Sequence, residues 1–161
     1  MRIEKFQEAD VEEILTLFYE TIHTVNAKDY TKEERNAWAP KADFTEKLET
    51  WKHSLQKNIT FVAKIDGDIV GFSDMDDQGY LDRLFVHKDY QGQGIAKKLV
   101  QHLEAVARER QIGKIQTDAS ITARPFFEKQ GYAVLRKQRI KRKGVIITNY
   151  KMTKQLNEVK R

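Results

Sequence analysis

The chain contains no cysteine. Disulfides, thiolate metal sites and cysteine nucleophiles are thereby excluded, so any chemistry must use oxygen, nitrogen or backbone groups. Redox catalysis by the chain itself is not expected. No apolar run approaches the roughly 18 residues that span a bilayer, and the opening MRIEKFQEAD lacks the apolar centre of a secretory signal. A cytoplasmic protein without membrane association is the expectation. Repeats, low-complexity tracts and linker-like stretches are also missing. What remains is 161 residues, 40% of them hydrophobic, enough for one core in a single domain spanning 1–161. A net charge of +5 attracts a polyanion, either a phosphorylated cofactor or nucleic acid. The 24 acidic residues and the lack of an aromatic-basic RNA motif argue against nucleic acid.

Hydrophobic periodicity alternates between strand and helix. MRIEKF reads as a short strand, and Ala9-Asp10 opens a helix carrying Val11, Ile14, Leu15, Phe18 and Ile22 at 3.6-residue spacing. Thr31 and Glu34 form a capping box that starts a second, short helix, and a third is expected from Asp43 to Leu55. ITFVAKI and IVGFSDM flank Asp66-Gly67, a hairpin signal, and YLDRLFV follows as the next strand. A helix then places Ile95, Leu99, Leu103 and Val106 on one face and ends near Gly113. KIQTD is a strand, ARPFFEKQ a short helix stopped by Gly131, and YAVLRKQRI with VIITNYKM a final hairpin about Lys143-Gly144.

The stretch DYQGQGIAKKLV sits between the YLDRLFV strand and the helix that follows it. Backbone N–H groups of Gln91 to Ala96 gather there at a helix start, which favours phosphate. Gly92 and Gly94 leave those amides uncovered, while Gln93, Lys97 and Lys98 add donors or positive charge. There is no third glycine for a dinucleotide fingerprint and no Gly-Lys-Ser/Thr of a P-loop.

Gln91-Gly92-Gln93-Gly94-Ile95-Ala96 resembles the Gln/Arg-x-x-Gly-x-Gly/Ala signature of the GNAT family of N-acetyltransferases, and ARPFFEKQGYAV resembles the family's later Ala-x-x-Phe-Tyr/Phe-x-x-x-Gly-Phe/Tyr segment. The resemblance covers Ile59 to Met152. It implies an α/β fold with a mixed, mainly antiparallel sheet of about six or seven strands, flanking helices and a splayed central cleft for acetyl-CoA. It further implies that the amides of Gln91 to Ala96, with Lys97, cradle the pyrophosphate. Backbone groups of Leu84, Phe85 and Val86 would pair with the pantetheine arm, and a backbone amide at this strand end would stabilise the oxyanion. Ser120 stands where many relatives carry an asparagine that contacts CoA. Phe127 occupies the position that often holds the acid tyrosine, and a phenyl ring donates no proton.

Direct acetyl transfer needs a base for the ammonium and a proton for the departing thiolate. Asp82, within a strand beside apolar neighbours, is the candidate base; its alternative role is a carboxylate paired with Arg83 or a neighbouring lysine. For the acid, water stands ahead of Tyr150, with Tyr80 as a further candidate. Asp74, Asp76 and Asp77 form an acidic turn, with Asp74 drawing a cationic amine towards the cleft. His23, Tyr30 and Trp38, amid polar residues, are expected to wall the acceptor pocket, or else to cap the core. The basic run RKQRIKRKG either protects an edge strand or meets the 3′-phosphate of CoA. His87 and His53 are read as solvated. No metal is expected. The function expected is acetyl-CoA-dependent transfer to an amine of a small molecule or protein, by a monomer or homodimer. Its rival is a non-catalytic CoA-binding regulatory module.

Overall fold

In the computed structural model, which describes residues 1–156, seven strands form one sheet in the order β1-β2-β3-β4-β5-β7-β6. They are β1 (Arg2–Lys5), β2 (Ile59–Ile65), β3 (Asp68–Met75), β4 (Tyr80–Val86), β5 (Lys114–Ser120), β6 (Ala133–Arg142) and β7 (Val145–Gln155). All neighbours are antiparallel except β4 and β5, which run parallel. The helices are α1 (Val11–Thr24), α2 (Lys32–Trp38), α3 (Phe44–Lys57), α4 (Ile95–Glu109) and α5 (Arg124–Lys129). This is the mixed, mainly antiparallel α/β architecture expected from the sequence.

Local signals act where they were read. Asp66 and Gly67 take φ of 52° and 84°, the paired left-handed residues that turn a two-residue hairpin in the same sense as the strand twist. Lys143 and Gly144 repeat the device at 47° and 80°. Thr31 accepts from the Glu34 amide at 3.1 Å while Glu34 accepts from the Thr31 amide at 2.8 Å, so the capping box fixes the start of α2. One expectation fails: α4 stops at Glu109, not near Gly113. Gln111, at φ 61°, is the left-handed residue. Its amide bonds the Arg108 carbonyl at 3.1 Å and the Ile112 amide bonds that of Ala107 at 2.8 Å. That is a Schellman closure built on glutamine in place of glycine.

The sheet carries apolar side chains on both faces, as strand alternation requires. Phe61 and Ala63 join the core beneath α4 with Leu99, Leu103 and Ile115. Val62, between them, joins Ile14, Phe18, Trp51 and Phe72 beneath α1 and α3. Beside the α4 core, Glu104 accepts from Tyr132 Oη at 2.8 Å and from Lys154 Nζ at 3.1 Å, so a buried carboxylate ties α4 to β7.

Asp74 does not lie in the acidic turn. It belongs to β3, fully buried, opposite Arg83 of β4. Arg83 Nε reaches both carboxylate oxygens at 3.1 Å, Asn58 Nδ2 donates to Asp74 at 2.9 Å, and the guanidinium also bonds Ser54 Oγ at 2.9 Å. The guanidinium lies 4.6 Å from the centre of the Trp51 ring. The correction has a physical reason: a carboxylate buried in a strand persists only with its charge matched, so Asp74 holds β4 against β3 and α3 instead of meeting an amine. Asp74→Ala leaves Arg83 buried without its partner, and a loss of about 3 kcal/mol in denaturant-unfolding stability is expected. Surface-like tolerance at this position would contradict the clamp.

Candidate active site

Strands β4 and β5 pair at two positions only, Tyr80 with Gln116 and Leu81 with Thr117. Thr117 Oγ1 donates to the Leu81 carbonyl at 2.9 Å just before they part. Beyond that point β4 stays with β3 as far as Val86, and β5 stays with β7 as far as Ser120. Two clefts open from the gap and meet at Leu84, Phe85, Ser120 and Ala123.

The first cleft, of about 500 Å³, is lined by Leu84, Phe85 and Val86 on one side and by Gln91, Gly92, Gly94, Ile95, Ala96 and Lys97 at the start of α4. The amides from Gln91 to Lys97 find no backbone acceptor among the described residues, and the first bond of the helix runs from Lys98 to the Gly94 carbonyl at 3.1 Å. A row of unsatisfied donors at the positive end of a helix suits a phosphate group. Gly92 and Gly94 hold φ of 74° and 81°, and a Cβ on either would meet nothing within 4 Å. Each glycine is therefore required by its backbone, and each leaves open space above the amides.

Not every signature residue faces the cleft in the same way. Gln91 turns its side-chain amide to the Val86 carbonyl at 2.6 Å, so it braces the loop and occupies one strand-edge acceptor. Gln93 is exposed and does not line the cleft. Lys129 of α5 and Thr21 and Asn26 of the α1 region do line it, although their sequence context marked none of them. Of the basic run, Ile140 and Arg142 line the second cleft, and none of its residues lines the first.

The second cleft, of about 410 Å³, has aromatic walls from Phe18, Trp38, Trp51, Tyr80 and Phe85, with Tyr30 and Phe127 below. Asp82 and Asp118 face it from the two parting strands. Both lie one step past the last β4–β5 pair, so Tyr80, Asp82 and Leu84 share one face with Asp118 and Ser120. Tyr80 Oη donates to Asp118 at 2.8 Å, and Gln138 Nε2 donates to the other carboxylate oxygen at 2.9 Å. The cleft walls desolvate Asp82 and raise its pKa; Asp74, Asp76 and Asp118 reinforce the rise and Arg83, 3.6 Å away, opposes it. The carboxyl nonetheless stays 43% exposed, within reach of a ligand. Burial also raises the Tyr80 pKa, helped by the bond to Asp118. Asp118 itself had a legible signal, two residues before Ser120 on an alternating strand, and the sequence reading passed it over.

Of three further candidates, two lie outside both clefts and one contributes its ring alone. His23 Nε2 donates to the Ala39 carbonyl at 2.8 Å, tying α1 to the end of α2, and lines neither cleft. Tyr30 lends its ring to the cleft floor, but its hydroxyl donates to the Thr148 carbonyl at 2.6 Å and accepts from the Ile121 amide at 2.9 Å. Burial pushes its pKa up to about 12. Tyr150 points away from Asn149, which lines the cleft, and lies against Arg124, whose guanidinium is 4.5 Å from the ring centre. Tyr150 lines neither cleft. Ser120 lines both clefts, with its hydroxyl accepting from the Ala123 amide at 3.0 Å. Phe127 is buried against Phe126 and Tyr132. Among the described residues no group of three or more His, Asp or Glu side chains could hold a metal ion, and no helix is long and apolar enough to cross a membrane.

The model of the acetyltransferase (GNAT) domain matches residues 26–154. The chain is 30% identical over 152 residues to the uncharacterized N-acetyltransferase YafP of Escherichia coli (strain K12), covering 94% of each. Among solved structures, a GCN5-related N-acetyltransferase from Rhodopseudomonas palustris is similar at a TM-score of 0.88 and 30% identity, over 96% of this chain and 94% of that one. The PaiA N-acetyltransferase of Thermoplasma acidophilum, solved in complex with coenzyme A, shares the fold at a TM-score of 0.75 and 20% identity, over 96% and 99%.

Gly94→Val forces a β-branched residue into left-handed φ, a strain of about 1–3 kcal/mol, and covers the amides. CoA affinity measured by calorimetry is expected to fall by roughly tenfold or more. Gly92→Ala, also in left-handed φ, is expected to weaken binding in the same direction. Unchanged affinity in a folded Gly94→Val protein would remove the phosphate cradle.

Proposed function

The chain belongs to the GNAT family of N-acetyltransferases, and on that premise we propose that it transfers an acetyl group directly from acetyl-CoA to the amine of a small molecule or protein. The observation that carries this reading is the meeting of two clefts at Leu84, Phe85, Ser120 and Ala123: one has orphan amides for a pyrophosphate, the other two carboxylates for an ammonium. When bound, acetyl-CoA supplies the activated acetyl group as a thioester. The open edge of β4 past Leu81 offers backbone groups to its arm and to the oxyanion that develops.

Asp82 serves as the base. Its raised pKa brings it nearer to an amine's own range, and its exposure lets it take the proton directly or through one water. Asp118 holds the ammonium opposite, oriented by Tyr80 and Gln138. The amine lone pair attacks the thioester carbon, the C–N bond forms and the C–S bond breaks. A thiol leaves readily near neutral pH because its pKa is only about 8.5. The Tyr80 hydroxyl donates to Asp118 and so positions that carboxylate, while water relays the second nitrogen proton to the thiolate. A cytoplasmic site of action fits the supply of acetyl-CoA.

A screen of amines with acetyl-CoA, followed by release of free thiol, tests this function. Thiol release that needs an amine supports it; intact CoA binding with no turnover on any amine would transfer the protein to the CoA-binding regulatory class. For the base, kcat/KM of the wild type is expected to rise with pH through an ionisation above the usual carboxylate range, because only the deprotonated carboxylate accepts a proton. Asp82→Asn is expected to erase that limb and lower kcat/KM by about 10²-fold with CoA affinity intact. A pH profile unaltered by the substitution would assign the base to another group.

A further inference from the structure

Charge in the acceptor cleft is divided between its two ends. Asp82 and Asp118 stand where the strands part. On β6, Gln138, Ile140 and Arg142 share one face, and Gln138 bonds Asp118. Arg142 thus leaves the strand four residues farther on, roughly 13 Å along the backbone. Lys47 of α3 lines the cleft as well, its Nζ 5.2 Å from the centres of the Phe18 and Tyr19 rings.

These two cations lack partners. Among the described residues neither Lys47 nor Arg142 has a carboxylate within ion-pair distance, and the nearby Asp43 is already 3.6 Å from Lys143. Burial lowers the Lys47 pKa and repulsion from Arg142 and Lys143 lowers it further, with only Asp43 opposing. The contrast is Arg83, the third cation of the cleft, which is engaged by Asp74 and Asp82. A partly desolvated cation beside a like charge is unfavourable until an anion arrives. Aromatic surface from Trp38 and Phe85 lies along the same cleft.

We propose that the acceptor is a small zwitterion, an amine joined through an apolar or aromatic body to a carboxylate that docks on Lys47 and Arg142. The inference rests on the acetyltransferase reading above and names the substrate class of that site. The ammonium lies at Asp82 and Asp118, the body packs on Trp38, and the carboxylate neutralises the outer pair. Transfer leaves the carboxylate untouched: nitrogen gains the acetyl carbon that sulfur loses and gives up two protons, one to Asp82 before attack and one, relayed through water, to the departing thiolate. A polyamine is disfavoured because its second cation would face Lys47 and Arg142.

Matched amines test it: para-aminomethylbenzoate against para-aminomethylbenzamide, 4-(aminomethyl)phenylacetate against its amide, and para-xylylenediamine as the dication. The acid-bearing member of at least one pair is expected to have a kcat/KM higher by about tenfold or more, as hydrogen bonds between charged groups imply, and the ratio is expected to shrink with added salt. Arg142→Gln and Lys47→Gln are each expected to reduce that ratio, and Arg142→Glu to shift preference towards the diamine. Equal or higher kcat/KM for both amides, or a ratio indifferent to both substitutions, overturns the proposal. If CoA binds but no amine releases thiol, the catalytic reading fails by itself. Tryptophan fluorescence titrations with CoA present then decide the inference: tighter binding of the acid than of its amide supports it, and equal binding overturns it.

Discussion

The parting of β4 from β5 is the constraint on which the site depends. Two parallel strands in an ordinary sheet would satisfy each other's edges to their ends, yet these do so at two positions only. Each is held more strongly on its far side. The seven-pair register with β7 fixes β5, and the buried Asp74–Arg83 pair fixes β4 against β3. The gap between them leaves backbone edge at Leu84 to Val86 and side-chain access at Asp82 and Asp118. Backbone groups that would be costly to bury unpaired stay useful because a ligand can complete them.

Electrostatics divides the labour around that gap. Orphan amides at the start of α4, with Lys97 and Lys129, make one side attractive to phosphate. On the other side the carboxylates of β4 and β5 repel one another until a cation separates them, which is one cause of the raised Asp82 pKa. Lys47 and Arg142 reverse the sign again at the outer end. Buried ion pairs such as Asp74–Arg83 serve the frame, while the incompletely paired charges line the clefts. That contrast separates structural from functional charge more clearly than residue type does.

Tyrosine shows why the distinction matters. Tyr30, Tyr80 and Tyr150 all come close to the splayed region, but each hydroxyl or ring is committed differently: to the Thr148 carbonyl and Ile121 amide, to Asp118, and to Arg124. Phe127, buried at the same cleft, offers no hydroxyl.

By itself the sequence determined the elements whose causes are local. Paired left-handed residues made both hairpins, the Thr31–Glu34 box started α2, and Gly92 and Gly94 marked the left-handed turn that opens α4. It also determined the family, because two motifs fall at a characteristic separation. Tertiary structure alone decided which polar residues are used up and which are available. Asp74 and Asp82 sit in neighbouring strands, yet one is buried opposite Arg83 and the other faces a cleft. His23, expected at the pocket wall, is taken up by the Ala39 carbonyl for the same reason. A side chain's charge is written in the sequence, but its partner comes from distant elements brought together, and it is the partner that fixes whether the charge supports the fold or meets a ligand.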